Sequence, residues 1–118
     1  VGYPDFVGHI QVTVRGYRAT VRVNGVDCGT VENANETNLV IGGFDKGQND
    51  LLVEVDRLPL KDESKRFFTI NAYVMVKEPD RSRARIFHYQ PENMHTVPER
   101  MKVDVWANAV TIYGKSKP

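Results

Sequence analysis

The sequence predicts an all-β fold, an antiparallel sandwich of about seven or eight strands with at most one short helix. Three observations carry this expectation. Apolar residues recur with period two along most of the chain, the period of a half-buried strand. No segment of ten or more residues shows a helical apolar stripe. Turn residues, Gly and Asn above all, punctuate the strands at short intervals. The length of 118 residues suits one core, so residues 1–113 read as a single domain and residues 114–118 as a loose tail.

The elements follow in order. In residues 9–15, Ile10, Val12 and Val14 alternate with Gln11, Thr13 and Arg15. In residues 18–24, Ala19, Val21 and Val23 alternate with Arg18, Thr20, Arg22 and Asn24. Gly16-Tyr17 between them predicts a tight hairpin, and Asn24-Gly25 predicts a second one. Residues 26–31 supply a short strand, and the polar stretch 32–38 a loop. Leu39-Val40-Ile41 reads as a strand ended by Gly42-Gly43, and residues 45–49 as a turn. Residues 51–55 put Leu51, Val53 and Val55 on one face. Pro59 and a mixed charge run make residues 58–65 a connection. Residues 67–77 form the longest strand candidate, with Phe68, Ile70, Ala72, Val74 and Val76 inward. Residues 84–89 follow a turn at Pro79. In residues 90–100, Pro91 suits the first turn of a short helix that Pro98 ends. The last strand, 101–113, changes apolar parity near Asn108, which predicts a bulge or bend there.

Composition narrows the function classes. Lys and Arg number 16 against 15 Asp and Glu, for a net charge of +1. The chain as a whole therefore lacks the field that draws proteins to nucleic acid. No apolar run approaches the length of a membrane-spanning helix. A single cysteine excludes an internal disulfide and a Cys-based zinc cluster within the chain. The chain begins at Val1; removal of a signal peptide and simple trimming both account for that. Asn35-Glu36-Thr37 matches the glycosylation sequon.

Two segments carry a family pattern. Ala19-Thr20-Val21-Arg22-Val23-Asn24-Gly25-Val26-Asp27-Cys28-Gly29 fits A-x-V-x-V-N-G-x-x-x-G. Gly47-Gln48-Asn49-Asp50-Leu51-Leu52-Val53-Glu54-Val55 fits G-x-N-x-L-x-V-x-V. In this order they resemble the galactose-binding-like jelly-roll domains attached to many glycoside hydrolases. The first segment alone also resembles PEGA domains of bacterial surface proteins, although Thr30-Val31 follows Gly29 where those domains have Thr-Pro. The resemblance spans roughly the first half of the chain. It implies a jelly-roll-like sandwich and assigns no ligand to any residue.

Four groups of residues are candidates for chemistry. The first is an aromatic and polar face. Trp106 with Asp104 and Asn108 points away from the core face of the last strand, and Tyr73 with Asn71 does so on the long strand. If these strands are neighbours, the rings share a platform that suits a sugar or a protein anchor; otherwise a loop or a second copy covers them. The second is the loop carrying His88, Glu92 and His95, whose imidazoles and carboxylate are metal-ligand types without metal-ligand spacing. Solvated loop histidines are its alternative. The third is the alternating Arg81, Arg83 and Arg85, able to hold an anion or to guard a sheet edge. The fourth is Cys28, which lacks the adjacent base a nucleophile needs. No paired-carboxylate motif, metal spacing or nucleophile elbow is present, so no catalytic residue and no cofactor is expected. The expectation is a non-catalytic binding domain outside the cytoplasm, periplasmic, secreted or at the cell surface. Its partner is carbohydrate or another envelope protein, with self-association a further expectation. The alternatives are an assembly subunit that pairs through edge strands and a small enzyme or enzyme inhibitor acting through the histidine loop.

Overall fold

The computed structural model describes residues 6–75 and 83–107. Eight strands are present among them: β1 (Phe6–Arg15), β2 (Tyr17–Val23), β3 (Val26–Glu32), β4 (Thr37–Phe44), β5 (Gly47–Arg57), β6 (Phe67–Met75), β7 (Arg83–Tyr89) and β8 (Arg100–Ala107). They form two four-stranded antiparallel sheets, ordered β4-β1-β6-β7 and β3-β2-β5-β8. The predicted sandwich is therefore the observed architecture. No helix among the described residues is long and apolar enough to cross a membrane.

Period-two patterning builds the core. Ile10, Val12 and Val14 of β1 and Phe68, Ile70, Ala72 and Val74 of β6 turn inward from the first sheet. Ala19, Val21 and Val23 of β2 and Leu51, Val53 and Val55 of β5 meet them from the second. Burying one face of each strand fixes its register, because a one-residue slip would expose the whole apolar set. Tyr17 and Phe68 pack edge to face, with ring centroids 5.7 Å apart, and Tyr89 packs edge to face with Phe68 at 6.1 Å.

Several local expectations need correction. The predicted hairpin at Gly16-Tyr17 is a corner between sheets: β1 belongs to the first sheet and β2 to the second. Both Val14 and Tyr17 are buried, so the inward parity breaks between them, and Gly16 makes the break at φ +75. The Gly16 carbonyl accepts from the Leu58 amide at 2.9 Å and from Arg66 Nη1 at 2.5 Å. Arg66 is itself buried, with its guanidinium over the Tyr17 ring at 5.2 Å and its Nη2 2.7 Å from Glu63 Oε2. This staple ties the corner to the connection between β5 and β6.

The Asn24-Gly25 hairpin is as expected, with both residues at positive φ. Gly42-Gly43 lies inside β4 rather than ending it. The stretch predicted as a turn over 45–49 contains the start of β5. No α-helix opens at Pro91; a single turn closes from Thr96 N to Asn93 O at 3.1 Å. Asn93 Oδ1 accepts from the His95 amide at 2.9 Å, a local bond that competes with helix propagation. Among the described residues, the one helical segment is a 3₁₀ turn, Glu63–Lys65, capped by Asp62. The predicted bulge near Asn108 and the tail lie outside the described residues.

Candidate functional site

The first predicted platform divides between the two sheets. Trp106 and Asp104 face outward from β8, which pairs with β5. Tyr73 and Asn71 face outward from β6, which pairs with β1 and β7. Each ring faces away from the core, but the outer faces of a sandwich point in opposite directions. Trp106 and Tyr73 thus do not share a surface. Asn108 lies outside the described residues. The histidine group also divides. His88 lies on β7 beside Asn71, with Nδ1 2.6 Å from Asn71 Oδ1. His95 sits 3.6 Å from Glu63 Oε1, and Glu92 is exposed. No group of three His, Cys, Asp or Glu among the described residues could hold a metal ion. Of the arginine row, Arg81 lies outside the described residues and Arg85 is exposed on β7. Cys28 is half-buried; burial first, then the charge of Asp27, raises its thiol pKa and disfavours the thiolate.

Trp106 anchors the site that the structure does assemble. It is 60% exposed at one end of the second sheet. Directly opposite it on β5 is Gln48, and one row on, Asp104 stands directly opposite Asp50. Cross-strand partners lie about 5 Å apart, so the ring, the amide and the two carboxylates form one patch. A shallow depression next to it is lined by Asn24, Gln48, Asn49, Asp50 and Asp104. Two carboxylates placed directly opposite repel one another. Lys102 Nζ, 3.9 Å from Asp50 Oδ2, offsets part of that repulsion.

Two asparagines set the geometry. Asn49 is 1% exposed, the deepest polar side chain near the patch. Its Oδ1 accepts from the Asp45 amide at 2.8 Å and from Asn24 Nδ2 at 2.9 Å. Its Nδ2 donates to the carbonyls of Asp45, Gly47 and Val105, at 2.9, 3.1 and 3.3 Å. Asn24 Oδ1 in turn accepts from the Asp50 amide at 2.8 Å, while the Asn24 amide donates to the Asp50 carbonyl at 2.8 Å. The N-G of the first sequence pattern and the N of the second are therefore one network. It locks the β2–β3 turn to the start of β5 and to β8, and fixes the Asp50 backbone. The expected Trp106 and Asp104 are joined here by Asn24, Gln48 and Asp50. Their signal lay in the two sequence patterns: Asn24 is the asparagine of the first, and Gln48 and Asp50 flank Asn49, the asparagine of the second.

The remaining outer face of the second sheet is saturated with ion pairs. Arg18 lies 3.1 Å from Glu32 and 3.4 Å from Asp56, and Arg22 is 2.5 Å from Glu54. Thr20 and Thr30 share a hydrogen bond at 3.0 Å. The Trp106 end is where this lattice gives way to an uncovered ring.

No family model matches the chain, and neither a curated protein nor a solved structure matches it.

Proposed function

We propose that the protein is a non-catalytic carbohydrate-binding domain that works outside the cytoplasm and stacks a neutral sugar on Trp106. The observation that carries the proposal is the exposure of this ring, 60%, directly beside Gln48 and the Asp50–Asp104 pair. A pyranose presents an apolar face to an aromatic ring and a rim of hydroxyls to hydrogen-bonding groups. Indole supplies the first contact with little loss of side-chain freedom. The carboxylates accept hydroxyl hydrogens in charge-assisted bonds, and Gln48 both donates and accepts. The Asn24–Asn49 network fixes the backbone beneath these groups before a ligand arrives, which lowers the ordering cost of binding.

Native-gel electrophoresis through embedded neutral polysaccharides (galactan, xylan, mannan and β-glucan) tests the proposal. The wild type is expected to be retarded by at least one of them, and the W106A variant to migrate as if none were present. Unretarded migration of the wild type in all four gels, or retardation that W106A leaves unchanged, overturns it.

A further inference from the structure

The two outer faces of the sandwich treat their cations differently. On the second sheet and its flanking connection, Arg18, Arg22, Arg57 and Arg66 each pair with a carboxylate. On the first sheet, Arg85 and His88 have no carboxylate partner among the described residues. Both are instead held by a neutral amide: Arg85 Nη1 donates to Asn71 Oδ1 at 3.3 Å, and His88 Nδ1 lies 2.6 Å from the same oxygen. That oxygen only accepts, so His88 carries its hydrogen on Nδ1 and leaves Nε2 for other partners. Of the five guanidinium N–H groups of Arg85, the Asn71 bond uses one.

The strand register extends this pair into a surface. Asn71 is the cross-strand partner of both His88 and Gln11, and Gln11 is the partner of Asn38. One row of amides and imidazole therefore crosses all four strands, a span of about 14 Å at the usual strand spacing. In the next row Tyr73 is the partner of His9 and of Arg85. His9 Nδ1 is buried and has no hydrogen-bond partner. Glu36, the carboxylate that bonds to this row, is engaged by Gln11 Nε2 at 2.7 Å on the far, β4 side.

From this arrangement we infer that the outer face of the β4-β1-β6-β7 sheet is a second binding surface, for an anionic glycan whose carboxylate or sulfate sits on Arg85 while His88 Nε2 accepts from a neighbouring hydroxyl. A cation held by a neutral amide keeps its charge available, whereas a paired one does not. A planar guanidinium with donors to spare matches a carboxylate or a sulfate. The amide row suits the hydroxyls of the adjoining sugar units, and its length suits a short oligosaccharide. An acidic peptide would use the charge but leave the row of amides without hydroxyl partners. The surface is separate from the Trp106 patch and does not depend on it.

Titration calorimetry with polygalacturonate (carboxylate), dextran sulfate (sulfate) and poly-glutamate (acidic peptide) tests the inference on the wild type, R85Q, H88Q and W106A. Arg85 and His88 are exposed, so both variants are expected to keep the wild-type melting temperature. Binding of at least one of the two glycans, weakened roughly tenfold by R85Q, weakened by H88Q and unchanged by W106A, is the expected result. Which glycan binds distinguishes carboxylate from sulfate as the source of charge. Absence of binding to both glycans, equal binding by R85Q and the wild type, or tighter binding of poly-glutamate than of either glycan each overturns it.

Discussion

Replacing Asn49 by alanine probes the network that joins the β2–β3 turn to β5 and β8. The side chain makes five hydrogen bonds, to Asp45 twice, Asn24, Gly47 and Val105. A typical intramolecular hydrogen bond contributes about 1 kcal/mol net, and an orphaned buried group costs about 1–3 kcal/mol. The groups at Asp45 and Asn24 lie on exposed residues and recover bonds to water. The Val105 carbonyl, on a residue 2% exposed, does not. The expected loss is therefore about 3–4 kcal/mol, a shift of roughly 12–16 °C in Tm for a domain of this size. Urea unfolding followed by circular dichroism measures it; the midpoint should fall with the slope unchanged. Asn49→Asp separates hydrogen bonding from simple loss of volume. It keeps the size but turns an oxygen toward three carbonyls, and it should destabilise at least as much as N49A. A loss below about 1 kcal/mol in N49A, or a harmless N49D, would refute the assignment of Asn49 as the organiser of this end of the sandwich.

Other consequences are equally direct. Hydrogen bonding to Arg66, reinforced by the charges of Arg66, Arg57 and His95, lowers the Glu63 carboxyl pKa to about 2 from its ordinary 4.5. Because the folded value is the lower one, its contribution to stability is complete above pH 4.5 and is lost as the pH falls toward 2; E63Q should flatten the pH–stability curve within that window and not above it. At Gly16, a Cβ would lie 2.6 Å from Arg66 Nη1 with φ at +75; G16A should cost about 2–3 kcal/mol in urea unfolding, and a neutral effect would remove the corner from the account. Trp106 should emit at long wavelength and be quenched efficiently by acrylamide, whereas a blue-shifted, protected spectrum would mean that its face is covered in solution.

Which faces are buried was legible in the sequence because each strand must hide one set of alternating residues. The inward sets of β1, β2, β5 and β6 follow from that rule alone. Which strand lies beside which was not legible. One glycine between two alternating runs reads as a hairpin, yet at Gly16 it turns the chain from one sheet into the other. With β8 on β5 in one sheet and β6 between β1 and β7 in the other, Trp106 and Tyr73 lie on opposite faces. Asn49 illustrates a second limit. A polar residue in a Gly- and Asn-rich stretch reads as turn, and only the carbonyls of Asp45, Gly47 and Val105 converging on it make it a buried strand residue. His88 shows a third. Its proximity to Asn71 depends on the β6–β7 register, which shifts between Ala72 and Tyr73. No spacing in the sequence encodes such a shift.

Trp106, the proposed sugar-stacking ring, is the protein's only tryptophan and reports on its own site. The decisive measurement is a fluorescence titration of the wild-type protein with oligosaccharides released from galactan, xylan, mannan and β-glucan. A saturable blue shift of the Trp106 emission with one of them, together with protection from acrylamide, is the predicted result. A spectrum and quenching constant that stay unchanged through millimolar concentrations of all four would contradict it.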